Sequence, residues 1–264
     1  MEWWLGYIAI GATTGFFAGM LGIGGGAIMV PLLVMLFEAQ GLPKTHILHL
    51  AVGTALATIL FTSVSSVRAH ALRGAIRWDI AWRMTPGILV GGLVGSALTA
   101  FISTAAFAAL FTAVIYIAAT NMLLDRKPKP GRLVPGGVVT SLAGFVISAM
   151  SSFAAIGGAF LSIPFMLRCN VPLLSAIGTA SMIGFPIALS GSVGFIVTGV
   201  QATGLPPNSV GFVFLPALGG IVVAGVLMAP VGAATVHRLP TKWLRRIFAG
   251  VFYVLATRML ISLW

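Results

Sequence analysis

Apolar residues run through this chain in long unbroken stretches, and polar positions gather at their ends. Ten segments follow from that pattern. The first half holds Leu5–Leu21, Ala27–Phe37, Ile47–Val67, Ile80–Ile102 and Ala105–Leu124. The second holds Leu133–Ser151, Gly158–Leu167, Leu173–Thr198, Val210–Val236 and Lys242–Leu263. Stretches such as Gly87–Ala100 and Ala105–Ala119 do not alternate with period two, which excludes the strands of a membrane barrel and predicts helices. Most runs approach or exceed the roughly 18 residues that cross a bilayer. The second and seventh segments do not. At 1.5 Å per residue they make roughly 15–18 Å of helix, against a hydrocarbon core of about 30 Å.

Each short segment follows a glycine break. Gly22-Ile23-Gly24-Gly25-Gly26-Ala27 precedes Pro31, and Ala155-Ile156-Gly157-Gly158-Ala159-Phe160 precedes Pro164. Further landmarks recur in the same order: Ala51-Val52-Gly53-Thr54-Ala55 with Ala176-Ile177-Gly178-Thr179-Ala180, Pro86 and Gly95 with Pro216 and Gly225, Phe111 and Tyr116 with Phe248 and Tyr253, Ala119-Thr120-Asn121 with Ala256-Thr257-Arg258. Single apolar matches are weak, but an ordered series predicts an internal duplication. The expected organisation is a first membrane repeat over residues 1–125, a basic cytoplasmic linker over 126–132 and a second membrane repeat over 133–264. A glycine break at the same place in both halves points to a transporter's binding site.

Composition narrows the class. Only 7% of the 264 residues are charged and 59% are hydrophobic, whereas a soluble domain carries about 25% charged residues. The net charge of +11 does not imply a nucleic-acid partner, because the basic residues stand at the ends of apolar runs. Met1-Glu2-Trp3-Trp4 lacks the positive start of a secretory signal, and Trp3 and Trp4 read as an interfacial anchor. Cys169 is the only cysteine, so neither an intrachain disulfide nor a cysteine metal cluster is expected.

The arginines also set orientation. Arg68, Arg73, Arg77 and Arg83 follow the third segment, yet its counterpart loop, 199–207, has no charge. Arg238, Lys242, Arg245 and Arg246 precede the last segment, and its counterpart near Ser103-Thr104 has none. Equivalent loops of opposite charge character belong on opposite faces, which makes the two repeats inverted. Inversion needs an odd number of crossings per half, so each break is expected to fold the chain back into a re-entrant helical hairpin. Of the 15 Lys and Arg, only Lys44 and Arg258 then fall outside the cytoplasmic face, a 13 to 2 split, whereas eight single crossings give 9 to 6. The expectation is therefore an all-α polytopic protein of the cytoplasmic (inner) membrane, with two inverted repeats of about five helical segments and both termini external.

The residues 15–26, Gly-Phe-Phe-Ala-Gly-Met-Leu-Gly-Ile-Gly-Gly-Gly, with Pro31, resemble the opening signature of the sulfite exporter TauE/SafE family. Residues 144–164, Ile177-Gly178-Thr179-Ala180 and the His70-x-x-Arg73-Gly74 stretch also fit that family. The resemblance covers essentially the whole chain. It implies carriage of a small anionic sulfur compound, such as sulfite, a sulfonate or thiosulfate. The second copy departs from the first, with Gly157-Gly158-Ala159 in place of Gly24-Gly25-Gly26.

The breaks suggest how an anion is held. A broken helix leaves backbone N–H groups without partners, and in a membrane these must face protein or a wet cavity. The next helix adds about +0.5 of an elementary charge at its N-terminus. The candidate substrate-binding set is Gly24, Gly25, Gly26 and Ala27 with Gly157, Gly158 and Ala159, joined by Thr54, Thr179 and Ser181 as hydroxyl candidates. A membrane threonine can equally bond its own helix, so both readings of Thr54 and Thr179 stay open. Asn121 and Arg258 are equivalent and complete the set, although Arg258 is near enough to the apolar end to snorkel. Gly11, Gly15, Gly19, Gly91, Gly92 and Gly95 read instead as sites of close helix packing.

His46 and His49 lack a third metal ligand nearby and read as helix-start residues. Residues 22–27 match GxGxxA without a βαβ unit around them, and no GK[ST] follows a glycine run, so no nucleotide or other cofactor is expected. No catalytic constellation appears, which argues against an enzyme. The acids Glu2, Glu38, Asp79 and Asp125 all lie near segment ends, leaving no carboxylate relay for protons. The expected function is a secondary transporter, an exporter, of a small sulfur-containing anion. The alternatives are an anion channel and an importer of a small organic acid.

Overall fold

The computed structural model describes residues 3–21, 25–124, 133–155, 157–235 and 241–263, without the side chains of 21, 233, 241–245, 247 and 263. The basic linker at 126–132 lies outside the described residues. Helices occupy all ten apolar segments: α1 (Trp3–Leu21), α2 (Gly26–Ala39), α3 (Ile47–Ala71), α4 (Trp78–Thr99), α5 (Thr104–Leu124), α6 (Gly137–Ala154), α7 (Ala159–Arg168), α8 (Leu173–Gly199), α9 (Leu215–Thr235) and α10 (Thr241–Leu263).

Two boundaries differ from the sequence pattern for local reasons. Leu133–Gly136 stays outside α6, where Pro135 has no N–H to give and its carbonyl accepts from Thr140 Oγ1 at 3.0 Å. Ser209–Phe214 stays outside α9 and forms a two-strand hairpin, β1 (Ser209–Val210) antiparallel to β2 (Val213–Phe214). Gly211 at its turn has φ 54, a left-handed conformation that glycine adopts without penalty.

Among the described residues, Ile47–Ala71, Thr104–Leu124, Gly137–Ala154, Leu173–Gly199 and Leu215–Gly232 are long and apolar enough to cross a membrane. Their outer faces carry exposed aliphatic side chains, such as Leu142 and Val146 on α6 and Val223 and Leu227 on α9. Hydroxyls of Ser148, Ser152, Ser190 and Ser192 are buried instead. That distribution fits a lipid solvent. The chain is a multi-pass, mostly helical membrane protein.

Small residues decide how the helices meet. A Cβ built on Gly11, Gly15 or Gly19 of α1 would stand 2.5, 2.4 or 1.9 Å from the carbonyl oxygens of Ile221, Gly225 or Ala229 on α9. The same construction on Gly87, Gly91 and Gly95 of α4 comes within 1.8, 2.2 and 2.6 Å of Ser141, Phe145 and Ala149 on α6. The matched order makes each pair parallel. Backbones this close gain dispersion contacts, which drive association where the solvent is itself apolar. Gly92 differs in facing side chains: its Cβ would stand 2.0 Å from Ser190 Oγ.

At the centre α3 crosses α8 antiparallel, with Gly53 near Phe195 and Gly191 near Leu56. Further out α5 and α10 pack antiparallel, with Tyr116 bonded to Thr257 and Tyr253 to Thr120. All four pairings join a first-half helix to a second-half helix.

Candidate functional site: two helix breaks in contact

The first break separates α1 from α2. Gly24 lies outside the described residues; Gly25 adopts φ 70 and caps α2 with no side-chain oxygen. Tyr7 Oη donates to Gln40 Oε1 at 2.9 Å, and Gly6 packs against Leu36. The start of α1 therefore lies beside the end of α2, and the two helices run antiparallel.

The second break separates α6 from α7. Ala155, Gly157 and Gly158 have φ of 48, 55 and 72. The left-handed region costs a residue with a Cβ about 1–2 kcal/mol, so Ala155 is held there by its surroundings.

Both breaks leave amides at a helix start. The backbone bonds of α2 begin with Ile28 and Met29 donating to the Gly25 carbonyl at 3.1 and 3.0 Å, after the N–H groups of Gly26 and Ala27. In α7 the Leu161 and Ser162 N–H groups donate to the Gly158 carbonyl at 3.2 and 2.9 Å, and Ala159 N–H turns back to Gly157 at 2.9 Å. A Ser, Thr, Asp or Asn at the cap would occupy such amides; glycine leaves them to another acceptor.

The two breaks touch. A Cβ on Gly26 would stand 1.9 Å from the Ala155 carbonyl oxygen, so only hydrogen fits between them. Gly25, Gly26, Ala27, Gly157, Gly158 and Ala159 are all buried. Beside them lies a cavity of about 20 Å³, lined in part by Gly157, Ser181, Thr62, Ser63 and Ser66. A cavity of that size holds about one water molecule.

The remaining sequence-derived candidates lie elsewhere. Thr54 Oγ1 accepts the Phe214 backbone N–H at 3.0 Å, and Thr179 Oγ1 accepts that of Arg77 at 2.9 Å. Both threonines are fully buried and grip the segments that enter α9 and α4. Asn121 is exposed on α5, and Arg258 is exposed on α10 in a shallow groove with Tyr253 and Thr257. The structure thus brings the described glycines and Ser181 together, and places Thr54, Thr179, Asn121 and Arg258 apart from them.

One cavity, with polar side chains in a largely apolar wall, was not read from the sequence. It measures about 650 Å³ and is lined in part by Thr45, His46, His49, Ser103, Thr104 and Gln201. The only sequence signal was the His46-x-x-His49 spacing, and these residues do start a helix: His46 caps α3 and His49 lies in its first turn. Among the described residues no group of three or more His, Cys, Asp or Glu is placed to hold a metal ion.

Charge separates the two ends of the bundle. Arg68, Arg73, Arg77 and Arg83 are exposed around the α3–α4 turn, where Arg77 pairs with Asp79 at 2.8 Å. Exposed Arg168 ends α7, whose following residues Cys169 and Val171 belong to the same buried cluster as Ile80 and Ala81 at the start of α4. At the opposite end Lys44 Nζ donates to the Ser262 carbonyl at 3.1 Å.

A polytopic helical bundle with two helix interruptions meeting in its interior has the architecture of a membrane transporter. The chain belongs to the sulfite exporter TauE/SafE family, whose profile matches residues 7–259. It is 32% identical over 256 residues to a "Probable membrane transporter protein" of Haemophilus influenzae, covering 97% of both chains. YdhB of Bacillus subtilis, which carries the same description, is 27% identical over 192 residues, or 70% of this chain and 76% of its own. No solved structure matches the chain.

Proposed function

We propose that this membrane transporter is a secondary carrier that exports a small sulfur-containing oxyanion, such as sulfite, a sulfonate or thiosulfate, across the cytoplasmic membrane. The observation that carries the reading is the contact between Gly26 and the Ala155 carbonyl. It sets the uncapped start of α2 against the carbonyl that ends α6, four residues before the uncapped start of α7. The binding set is Gly24, Gly25, Gly26, Ala27, Gly157, Gly158 and Ser181; Ala159, whose N–H is taken by the Gly157 carbonyl, falls out of it. Backbone amides and two helix dipoles then hold the anion without a fixed cation, which favours release.

The reading includes two inverted repeats, each opened by a re-entrant hairpin. Reciprocal bonds support it. Thr54 with Phe214 answers to Thr179 with Arg77, and Tyr116 with Thr257 answers to Tyr253 with Thr120. The arginine-rich end is cytoplasmic and both termini are external.

A cavity of about 20 Å³ does not admit an oxyanion, so binding requires the breaks to part. Rocking of one packed group of helices against the other provides that motion. Export of an anion from a negative interior gains about 2.3 kcal/mol per charge per 100 mV, so no carboxylate relay is required.

Reconstitution into proteoliposomes tests the assignment. Sulfite or thiosulfate loaded inside is expected to show saturable counterflow, whereas non-saturable flux would indicate a channel. Gly25→Leu and Gly158→Leu are expected to abolish transport while the protein still reaches the membrane folded. Normal transport by both variants would refute the site.

A further inference from the structure

The cavity at the Lys44 end carries more than a passage. His49 Nε2–H donates to the Thr99 carbonyl at 3.0 Å. A carbonyl only accepts, so this bond fixes the tautomer and leaves Nδ1 with a lone pair. His49 is 4% exposed, and its Nδ1 is buried with no hydrogen-bond partner among the described residues. Once protonated, that atom becomes a donor in search of an acceptor.

Among the described residues, those facing it offer no counter-charge. Facing His49 are Thr99 from α4, Phe107 from α5 and Phe212 from the hairpin, all uncharged. The titratable neighbour is His46, one turn earlier, with its ring centroid 6.2 Å away. Lys44 directs its ammonium to the Ser262 carbonyl. Hydroxyls of Thr45, Ser103 and Thr104 complete the polar part of the wall, and α5 begins there with its positive end. A site with two imidazoles and no described carboxylate suits an anion rather than a metal.

The site also connects to the breaks. The His49 ring packs on Phe107 at 4.9 Å, and Phe107 on Phe153 at 6.3 Å. Phe153 stands two residues before Ala155, whose carbonyl abuts Gly26. Two phenyl rings therefore separate the cavity from the glycine contact.

We propose that the His46–His49 cavity is a second oxyanion site, occupied by the transported anion together with a proton on the imidazole pair. The identity of the anion rests on the transport reading above; the site itself does not. Binding is strong while the pair carries a proton and weakens as pH rises and the proton leaves. Phe107 and Phe153 close the way from this site to the breaks.

The test uses the full chain in detergent, titrated calorimetrically with sodium thiosulfate, whose charge is constant between pH 6 and 8. The anion and the proton enter the pair together, so wild-type binding is expected to be about tenfold or more weaker at pH 8 than at pH 6. His46→Gln and His49→Gln are each expected to reduce that ratio to about twofold or less. Size-exclusion chromatography checks folding, and half-buried His46 supplies the variant if His49→Gln does not fold. A wild-type pH ratio retained in folded His46→Gln overturns the proposal, as does a lack of thiosulfate binding to wild type at pH 6. Gly158→Leu keeps the two readings apart: it is expected to lose transport yet retain pH-sensitive binding. If it transports normally, the break site fails while the histidine site stands on its own result.

Discussion

Thr54 holds the entrance to α9 by accepting the Phe214 backbone N–H on its hydroxyl at 3.0 Å. The neighbouring glycine makes room for that segment, since a Cβ on Gly53 would stand 2.3 Å from the Phe212 carbonyl. The second Gly-Thr pair repeats the device. Gly178 lies against the Ala75 carbonyl, and Thr179 accepts the Arg77 N–H while donating to Ser175 at 2.6 Å. Each pair fastens a segment of the opposite half.

Thr54→Val keeps the volume and removes the acceptor, leaving the Phe214 N–H unpaired in the protein interior. The expected cost is about 1–3 kcal/mol, the penalty for an unsatisfied buried donor. Thermal unfolding in detergent should show a lower midpoint for Thr54→Val and recovery in Thr54→Ser. An unchanged midpoint in Thr54→Val would show that the bond does not stabilise the fold.

Gly15→Ala and Gly250→Ala should act in opposite directions. The methyl at Gly15 would meet the Gly225 carbonyl at 2.4 Å and force α1 from α9, whereas nothing lies within 4 Å at Gly250. Alanine is the better helix former by about 1 kcal/mol, so Gly250→Ala is expected to raise the unfolding midpoint and Gly15→Ala to lower it. Equal shifts would rule out backbone contact as the role of Gly15.

Tyr116 and Tyr253 face each other with ring centroids 5.0 Å apart, each bonding a threonine on the other's helix. A double-mutant cycle on Tyr116→Phe and Thr257→Val should give a coupling of about 0.6 kcal/mol, the average for hydrogen bonds between membrane helices. Zero coupling would show that α5 and α10 are joined by packing alone.

Orientation is open to labelling. In a Cys169→Ala background, a cysteine at Pro43 is expected to react with an impermeant maleimide on intact cells, and one at Lys129 only after lysis. The reverse pattern would turn the charge-derived topology over.

The helices were legible in the sequence because membrane solvation acts on each segment separately. A run such as Leu173–Thr198 must satisfy its own backbone bonds in lipid, whatever surrounds it, and α8 matches it to within one residue. The glycine breaks were legible for a related reason. Gly25, Gly157 and Gly158 adopt positive φ, which is a local requirement that residue type reveals. Gly11, Gly15 and Gly19 likewise announced close packing by their spacing, although not their partners.

Partnership was decided only in three dimensions. Thr54 and Thr179 looked as ready to line a cavity as to bond a backbone, and their hydroxyls turn to Phe214 and Arg77, 160 and 102 residues away in the chain. Asn121 and Arg258 matched in sequence but lie on exposed faces. The His46–His49 cavity needed the ends of α4 and α8 and the start of α5 to close around it. Hydrophobicity and backbone conformation are properties of a residue and its neighbours, so the sequence by itself determined the helices and their interruptions. Which amide, ring or carbonyl a side chain meets depends on how all ten helices pack at once, and that was left to the tertiary structure.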